Sequence, residues 1–228
     1  MLALIIDFGT PLKAGKLVAK IPPSFSHIPE RVGLFTIIVL GEAVMSVVKG
    51  VAQLQWGIAS ALVAMLGMSI AFSLWWIYFD SVDGSPLRAM QVGNMKIGLT
   101  WLYSHLPLAL GIAATGVGVE HIVVSSKTEI ILPFAERWLL CGSVAICLIF
   151  LAVIHFITCT LGTTEQRKIL AAYRLASAAF ILILAIVGVS LSPLMLMVLV
   201  ALACAEERNP TLARVLLGFT IVQPNLHF

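Results

Sequence analysis

Charge is what this sequence has least of. Asp, Glu, Lys and Arg make up 11% of its 228 residues, against about 25% in soluble globular domains. So few charges, beside 60% hydrophobic residues, exclude an ordinary water-soluble domain. A formal net charge of +3, spread along the chain, is too small to neutralise a run of phosphates, so no nucleic-acid partner is expected. Cysteine is scarce too. Cys141, Cys147, Cys159 and Cys204 lie in or beside apolar runs without a CxxC pair, which reads as free buried thiols acting as small apolar side chains. HExxH, GxSxG, Walker and glycine-rich dinucleotide patterns are missing, as is any cysteine–histidine cluster with zinc spacing. No metal, cofactor or enzymatic activity is therefore expected. Ser104 and His105, as sequence neighbours, do not face each other on a helix, which leaves a hydrolase nucleophile without its base. The opening MLALIIDF carries Asp7 and no basic start, so no secretory signal is evident.

What is abundant is apolar sequence in long runs. Mean hydropathy is +1.05, and several stretches reach the 18 or more residues needed to cross about 30 Å of hydrocarbon. The expected fold is an all-α, polytopic transmembrane bundle of about six spans. They lie near 30–48, 56–79, 97–119, 138–159, 175–189 and 193–205, the last being marginal in length. Residues 1–29 read as a helix remnant and a basic, proline-containing lead-in. Residues 206–228 read as a tail.

Local chemistry supports these boundaries. Pro29 precedes the first span, where its missing N–H costs nothing, and Glu30 suits the positive helix end. Trp56 marks one margin of the second span, with Trp75, Trp76 and Tyr78 at the other, an aromatic interfacial pattern. Pro107 should free a carbonyl near residue 103, while Gly111, Gly116 and Gly118 should let helices approach closely. Residues 162–174 read as a short basic loop. With six spans, Lys13, Lys16, Lys20, Arg31, Arg88, Lys96, Arg167, Lys168, Arg174, Arg208 and Arg214 fall on one side. Lys49, Lys127 and Arg137 fall on the other. The positive-inside rule then puts both chain ends in the cytoplasm.

Glu42 is the leading functional candidate. It lies about 18 Å along the helix from Glu30 and about 10 Å from Lys49, deep in an apolar run where exposure to lipid would cost several kcal/mol. It is expected to face the bundle or a wet cavity, beside Gly41. Two roles stay open: a proton or cation relay, or a structural hydrogen bond to a neighbouring helix. His105 and His155 are intramembrane imidazoles that could bond a carbonyl or exchange a proton with Glu42. Arg31 and Asp80 would shape the cytoplasmic mouth, Arg31 beside Glu30 or lipid phosphate. Glu120 and His121 belong to the other face, with Glu136 and Arg137. Pro29-Glu30-Arg31 and Phe134-Ala135-Glu136-Arg137 open the first and fourth spans in a similar way, as an inverted repeat would. The partners this allows are the lipid bilayer, a proton or small ion, and a second copy of the chain.

The stretch HIPERVGLFTIIVLGE from His27 to Glu42 closely resembles the ERxGLFxIIxLGE signature of the bacterial low temperature requirement A family. AFSLWWIYFD, from Ala71 to Asp80, resembles that family's WWxYFD ending, and Glu120-His121 its acid–histidine pair. The resemblance implies a bacterial multi-pass inner-membrane protein linked to growth at low temperature. It also implies a longer front carrying an ELFFDLVFV-like motif, so this chain is expected to be a shortened member. Transport, or proton or ion movement, is the leading expectation. A non-transporting assembly or stress-adaptation component is the alternative.

Overall fold

The structure, a computed structural model, describes residues 27–52, 58–82, 85–91, 94–125, 132–158 and 164–207. The lead-in before His27, the tail beyond Glu207, Asp83 and Cys159 lie outside the described residues. Every element among the described residues is helical: α1 His27–Ala52, α2 Ile58–Ser81, α3 Ser85–Gln91, α4 Met95–Ser125, α5 Phe134–Ile157, α6 Thr164–Val187 and α7 Pro193–Glu206. A single 3₁₀ turn, Gly188–Ser190, precedes α7. Helices are what lipid demands, because only they satisfy every backbone polar group within one segment.

Among the described residues, five helices are long and apolar enough to cross a membrane. The sixth, α7, has 14 residues, or about 21 Å at the helical rise, short of the hydrocarbon thickness. Its start is well specified: Pro193 occupies the first turn, and the Ser192 hydroxyl accepts from the Met195 N–H at 3.3 Å. The arrangement along α6 differs from the sequence reading, which began that span at Leu175. The helix begins eleven residues earlier, at Thr164, and absorbs the supposed basic loop. Thr164, Glu165, Arg167 and Lys168 supply a polar first turn, so the apolar run marks only the later part of the helix.

α4 and α5 form the centre. α1 packs on α4, α6 on α5, and α2 closes against α1, α4 and α7. Burial agrees: 56% and 61% of the apolar stretches of α4 and α5 are enclosed, against 28% for α1 and for α6. Small residues set the spacing, as expected where helices attract mainly by close packing. A methyl group added at Gly116 would sit 2.6 Å from the Ala43 Cα, and one at Gly118 would sit 3.0 Å from the Leu140 Cα. α4 runs through Pro107 without interruption. Hydroxyls on Thr36, Ser73, Ser104, Thr115 and Thr158 donate to carbonyls one turn back, which hides them from lipid.

α1, α4 and α6 start at the end of the bundle where α2, α5 and α7 finish. Arg31, Arg88, Lys96, Arg167, Lys168 and Arg174 gather toward this end, and it is called the basic end below. Lys49 and Arg137 lie toward the other.

Candidate functional site

The most heavily buried charges are ones the sequence reading left in a loop and a tail. Arg174 is 2% exposed and Glu207 4% exposed, and the Arg174 Nε stands 3.8 Å from a Glu207 carboxylate oxygen. The Arg174 guanidinium also donates to the Leu151 carbonyl at 3.2 Å and to the Ser81 hydroxyl at 2.8 Å. One side chain on α6 thereby ties together the ends of α2, α5 and α7. Asp80 is exposed beside this knot and acts electrostatically on Arg174. Burial pushes the Glu207 carboxyl above the ordinary carboxylate range, while Ser177 and Arg174 pull it back less strongly. His155 is buried one turn from Leu151, within electrostatic reach of Arg174 and Arg167. Arg167 reaches the Phe156 and Thr158 carbonyls at 3.3 and 3.4 Å, and so caps the C-terminus of α5 with a cation.

A second polar group is walled by aromatics. The His105 Nδ1 lies 2.7 Å from the Trp101 carbonyl. A carbonyl only accepts, so Nδ1 carries the proton and Nε2 presents a lone pair. The Trp101 and Tyr78 rings pack around it, with centroids 4.3 and 5.7 Å from the imidazole. The Tyr78 hydroxyl meets Thr36 on α1; among the described residues, the Trp101 indole N–H and the His105 Nε2 have no hydrogen-bond partner.

Glu42 is elsewhere, which corrects the central expectation. Its side chain is 62% exposed on the outer face of α1, paired at 3.2 Å with Lys49, which is 52% exposed. It therefore shares no cavity with His105 or His155. The inward stripe of α1 is Gly33, Thr36, Leu40, Ala43, Val47 and Gly50, and Glu42 projects from the opposite side. No described heavy atom lies within 4 Å of where a Gly41 methyl would stand. The outward stripe is regular: Leu34, Ile38, Gly41, Met45, Val48 and Ala52 alternate by four and three residues, and all are exposed.

The remaining candidates are divided between the ends. Arg31 is exposed at the basic end, where Glu30 pairs instead with His27 at 3.8 Å. At the far end His121 faces Glu136 at 3.9 Å, and the Glu120 backbone lies against Gly50. Arg137 is buried and donates to the Ala185 carbonyl at 2.8 Å, near the C-terminus of α6. Arg31 and Arg137, equivalent in the suggested repeat, thus occupy opposite environments. Among the described residues, no three His, Cys, Asp or Glu side chains converge as a metal site.

The sequence profile of the bacterial low temperature requirement A protein (LtrA) matches residues 1–205. The chain belongs to that family. No curated protein and no solved structure matches it. As an LtrA-family chain with five helices of spanning length, it is a multi-pass membrane protein. The family-like motifs are distributed through this fold. The first runs along α1 and ends at the outward Glu42, while WWIYFD closes α2 and delivers Tyr78 to the aromatic cluster and Asp80 to the charged knot. Arg174 and Glu207 belong to neither motif. The signal for Arg174 was partial: Ala171, Arg174, Ala178, Ile181 and Ala185 form the buried stripe of α6, but Ala172, Ala176 and Ala179 on the same helix are exposed, so small size alone did not mark the face against the bundle.

Proposed function

We propose that this protein moves protons or a small ion across the bacterial inner membrane, with the Arg174–Glu207 pair as its charge-bearing centre. One observation carries the reading: a carboxylate and a guanidinium are almost wholly enclosed, 3.8 Å apart, at the basic end of an apolar helix bundle. Ionisable groups enclosed in membrane bundles commonly mark ion paths. Glu207 replaces Glu42 as the proposed proton-carrying group, because it is enclosed beside Arg174 whereas Glu42 stands exposed on the outer face of α1. Asp80 stands at the mouth and His155 beside the pair. The basic end faces the cytoplasm by the positive-inside rule.

The test is proton or cation flux in reconstituted vesicles carrying a pH-sensitive dye. Glu207→Gln abolishes the pH-dependent component, whereas Glu42→Gln retains it. Full flux from folded Glu207→Gln protein would remove the pair from the mechanism.

A second reading, a non-transporting assembly component, draws on the outer face of α1. A Glu–Lys pair facing hydrocarbon is costly, and the 3–4 alternation beside it is the seam of a helix pair. In this reading the seam meets a second copy of the chain. Met45→Cys then gives a cross-linked dimer in native membranes, and Ala113→Cys on α4 does not. Equal cross-linking at both positions would reject the seam.

A further inference from the structure

α4 and α5 touch through glycines, yet one side of their seam is open. Toward the basic end a depression of about 430 Å³ is bordered by Lys96, Thr100, Ser104 and Phe150. Farther along, a second depression of about 380 Å³ is bordered by Pro107, Gly111, Ala114, Gly142 and Ile146. On α4 the borders recur every three or four residues from Lys96 to Ala114, which keeps them on one helix face. On α5 they run the opposite way, from Phe150 through Ile146 to Gly142, as antiparallel packing requires. The two depressions are therefore successive lengths of one furrow. Eighteen helical steps make it about 27 Å long, most of the roughly 30 Å hydrocarbon thickness.

Its chemistry is graded. Among the described residues, Lys96 is the one charged residue on its border, and it stands at the basic end with the Thr100 and Ser104 hydroxyls. The far length is bordered by apolar and small residues, with Ser143 its one hydroxyl, and that hydroxyl already donates to the Leu140 carbonyl. At Gly142, a methyl group would meet no heavy atom within 4 Å. A furrow with a cation at one end and hydrocarbon along the rest matches an amphiphile that carries an anion at its head.

We infer that the α4–α5 furrow holds an anionic phospholipid of the basic-end leaflet, its phosphate against Lys96 and one acyl chain lying past Pro107 to Gly142. A zwitterionic lipid carries its own ammonium beside the phosphate and gains less from Lys96. A basic residue near an anionic surface contributes enough to favour the anionic lipid by about fivefold.

The experiment is native mass spectrometry of the purified chain released from detergent containing equal phosphatidylglycerol and phosphatidylethanolamine. The wild type retains phosphatidylglycerol about fivefold over phosphatidylethanolamine. Lys96→Gln brings the ratio to about one while lipid is still retained, and Gly142→Phe, which fills the far furrow, lowers retention of both lipids. Gly142→Ala, whose methyl fits the open space, keeps the wild-type pattern and shows that helix α5 tolerates substitution there. Helical circular dichroism and gel-filtration position confirm folding in each case. Equal retention of the two lipids by the wild type would overturn the inference. So would folded Lys96→Gln and Gly142→Phe proteins that bind as the wild type does, or a retained mass that belongs to a neutral lipid.

Discussion

Consider the pair cycle built from Arg174→Met and Glu207→Gln. Arg174→Met removes two charge-assisted hydrogen bonds, to the Leu151 carbonyl and the Ser81 hydroxyl, and strands a buried carboxyl. Breaking a buried pair from one side typically costs about 3–5 kcal/mol, and the same is expected here. Glu207→Gln behaves differently. Burial already disfavours the charged carboxyl more than Arg174 favours it, so in the wild-type background the substitution is neutral or mildly stabilising at neutral pH. In the Arg174→Met background it is clearly stabilising, because it removes a buried charge that has lost its counterion. The difference between the two effects measures the attraction. Unit charges 3.8 Å apart attract by about 4 kcal/mol at an effective dielectric constant of about 20. Asp80 also acts on Arg174, so a coupling of about 2–3 kcal/mol is expected.

Unfolding of purified protein in mixed micelles, titrated with denaturing detergent, gives the four free energies. The same titration at several pH values adds an independent check. The folded-state pKa of Glu207 is raised. Its contribution to stability is therefore fully present below the ordinary carboxylate range and is lost as pH rises through the raised value. Wild type and Glu207→Gln converge in acid, and the wild type falls below the variant as pH increases. The coupling itself shrinks on acidification, since a neutral carboxyl no longer attracts the guanidinium. Effects of Glu207→Gln that agree within about 0.5 kcal/mol in the two backgrounds would refute the reasoning.

Other expectations follow from packing and polar satisfaction. Gly116→Val drives a side chain into the Ala43 backbone and should cost about 1–3 kcal/mol or more. Gly142→Ala enters open space and should gain up to about 1 kcal/mol from helix propensity. The same micelle titration reads both, and equal effects would contradict the α1–α4 contact. Tyr78→Phe removes a buried hydroxyl whose polar neighbour, Thr36, already donates to the Val32 carbonyl, so thermal stability should hold or fall by less than about 1 kcal/mol. A loss above about 1 kcal/mol would show that the hydroxyl is bonded in the native state. Glu42→Gln disrupts an exposed pair and should change the stability of the detergent-solubilised chain by less than about 1 kcal/mol.

Hydropathy made the helices and their depth legible, because an apolar run must match the bilayer. The early start of α6 was not legible that way. Thr164, Glu165, Arg167 and Lys168 carry polar side chains paired with one another and with the end of α5, and a hydropathy window registers them as solvent. Gly116 and Gly118 were readable as close-approach residues, and both act so against Ala43 and Leu140. The partners themselves were not readable, since nothing in a single chain states which helices are neighbours. His105 was likewise picked out as a buried imidazole; its Trp101 wall lies one turn back on the same helix, but its Tyr78 wall comes from α2, which only the tertiary arrangement brings beside it.

Glu42 and Arg174 were misjudged for one shared reason: hydropathy reports depth and leaves out direction. Direction was encoded in residue size on α1, and only in part on α6, where Ala172, Ala176 and Ala179 are exposed. On α1 the inward stripe includes Gly33, Thr36, Ala43 and Gly50, and on α6 it includes Ala171, Ala178 and Ala185, the small side chains that let backbones approach. Glu42 falls off the first stripe and Arg174 falls on the second. A carboxylate deep in an apolar run therefore does not by itself identify a bundle's interior charge. Arg174 is interior because its stripe faces α5, which supplies the Leu151 carbonyl, while a third helix, α7, brings Glu207 to within 3.8 Å at its end.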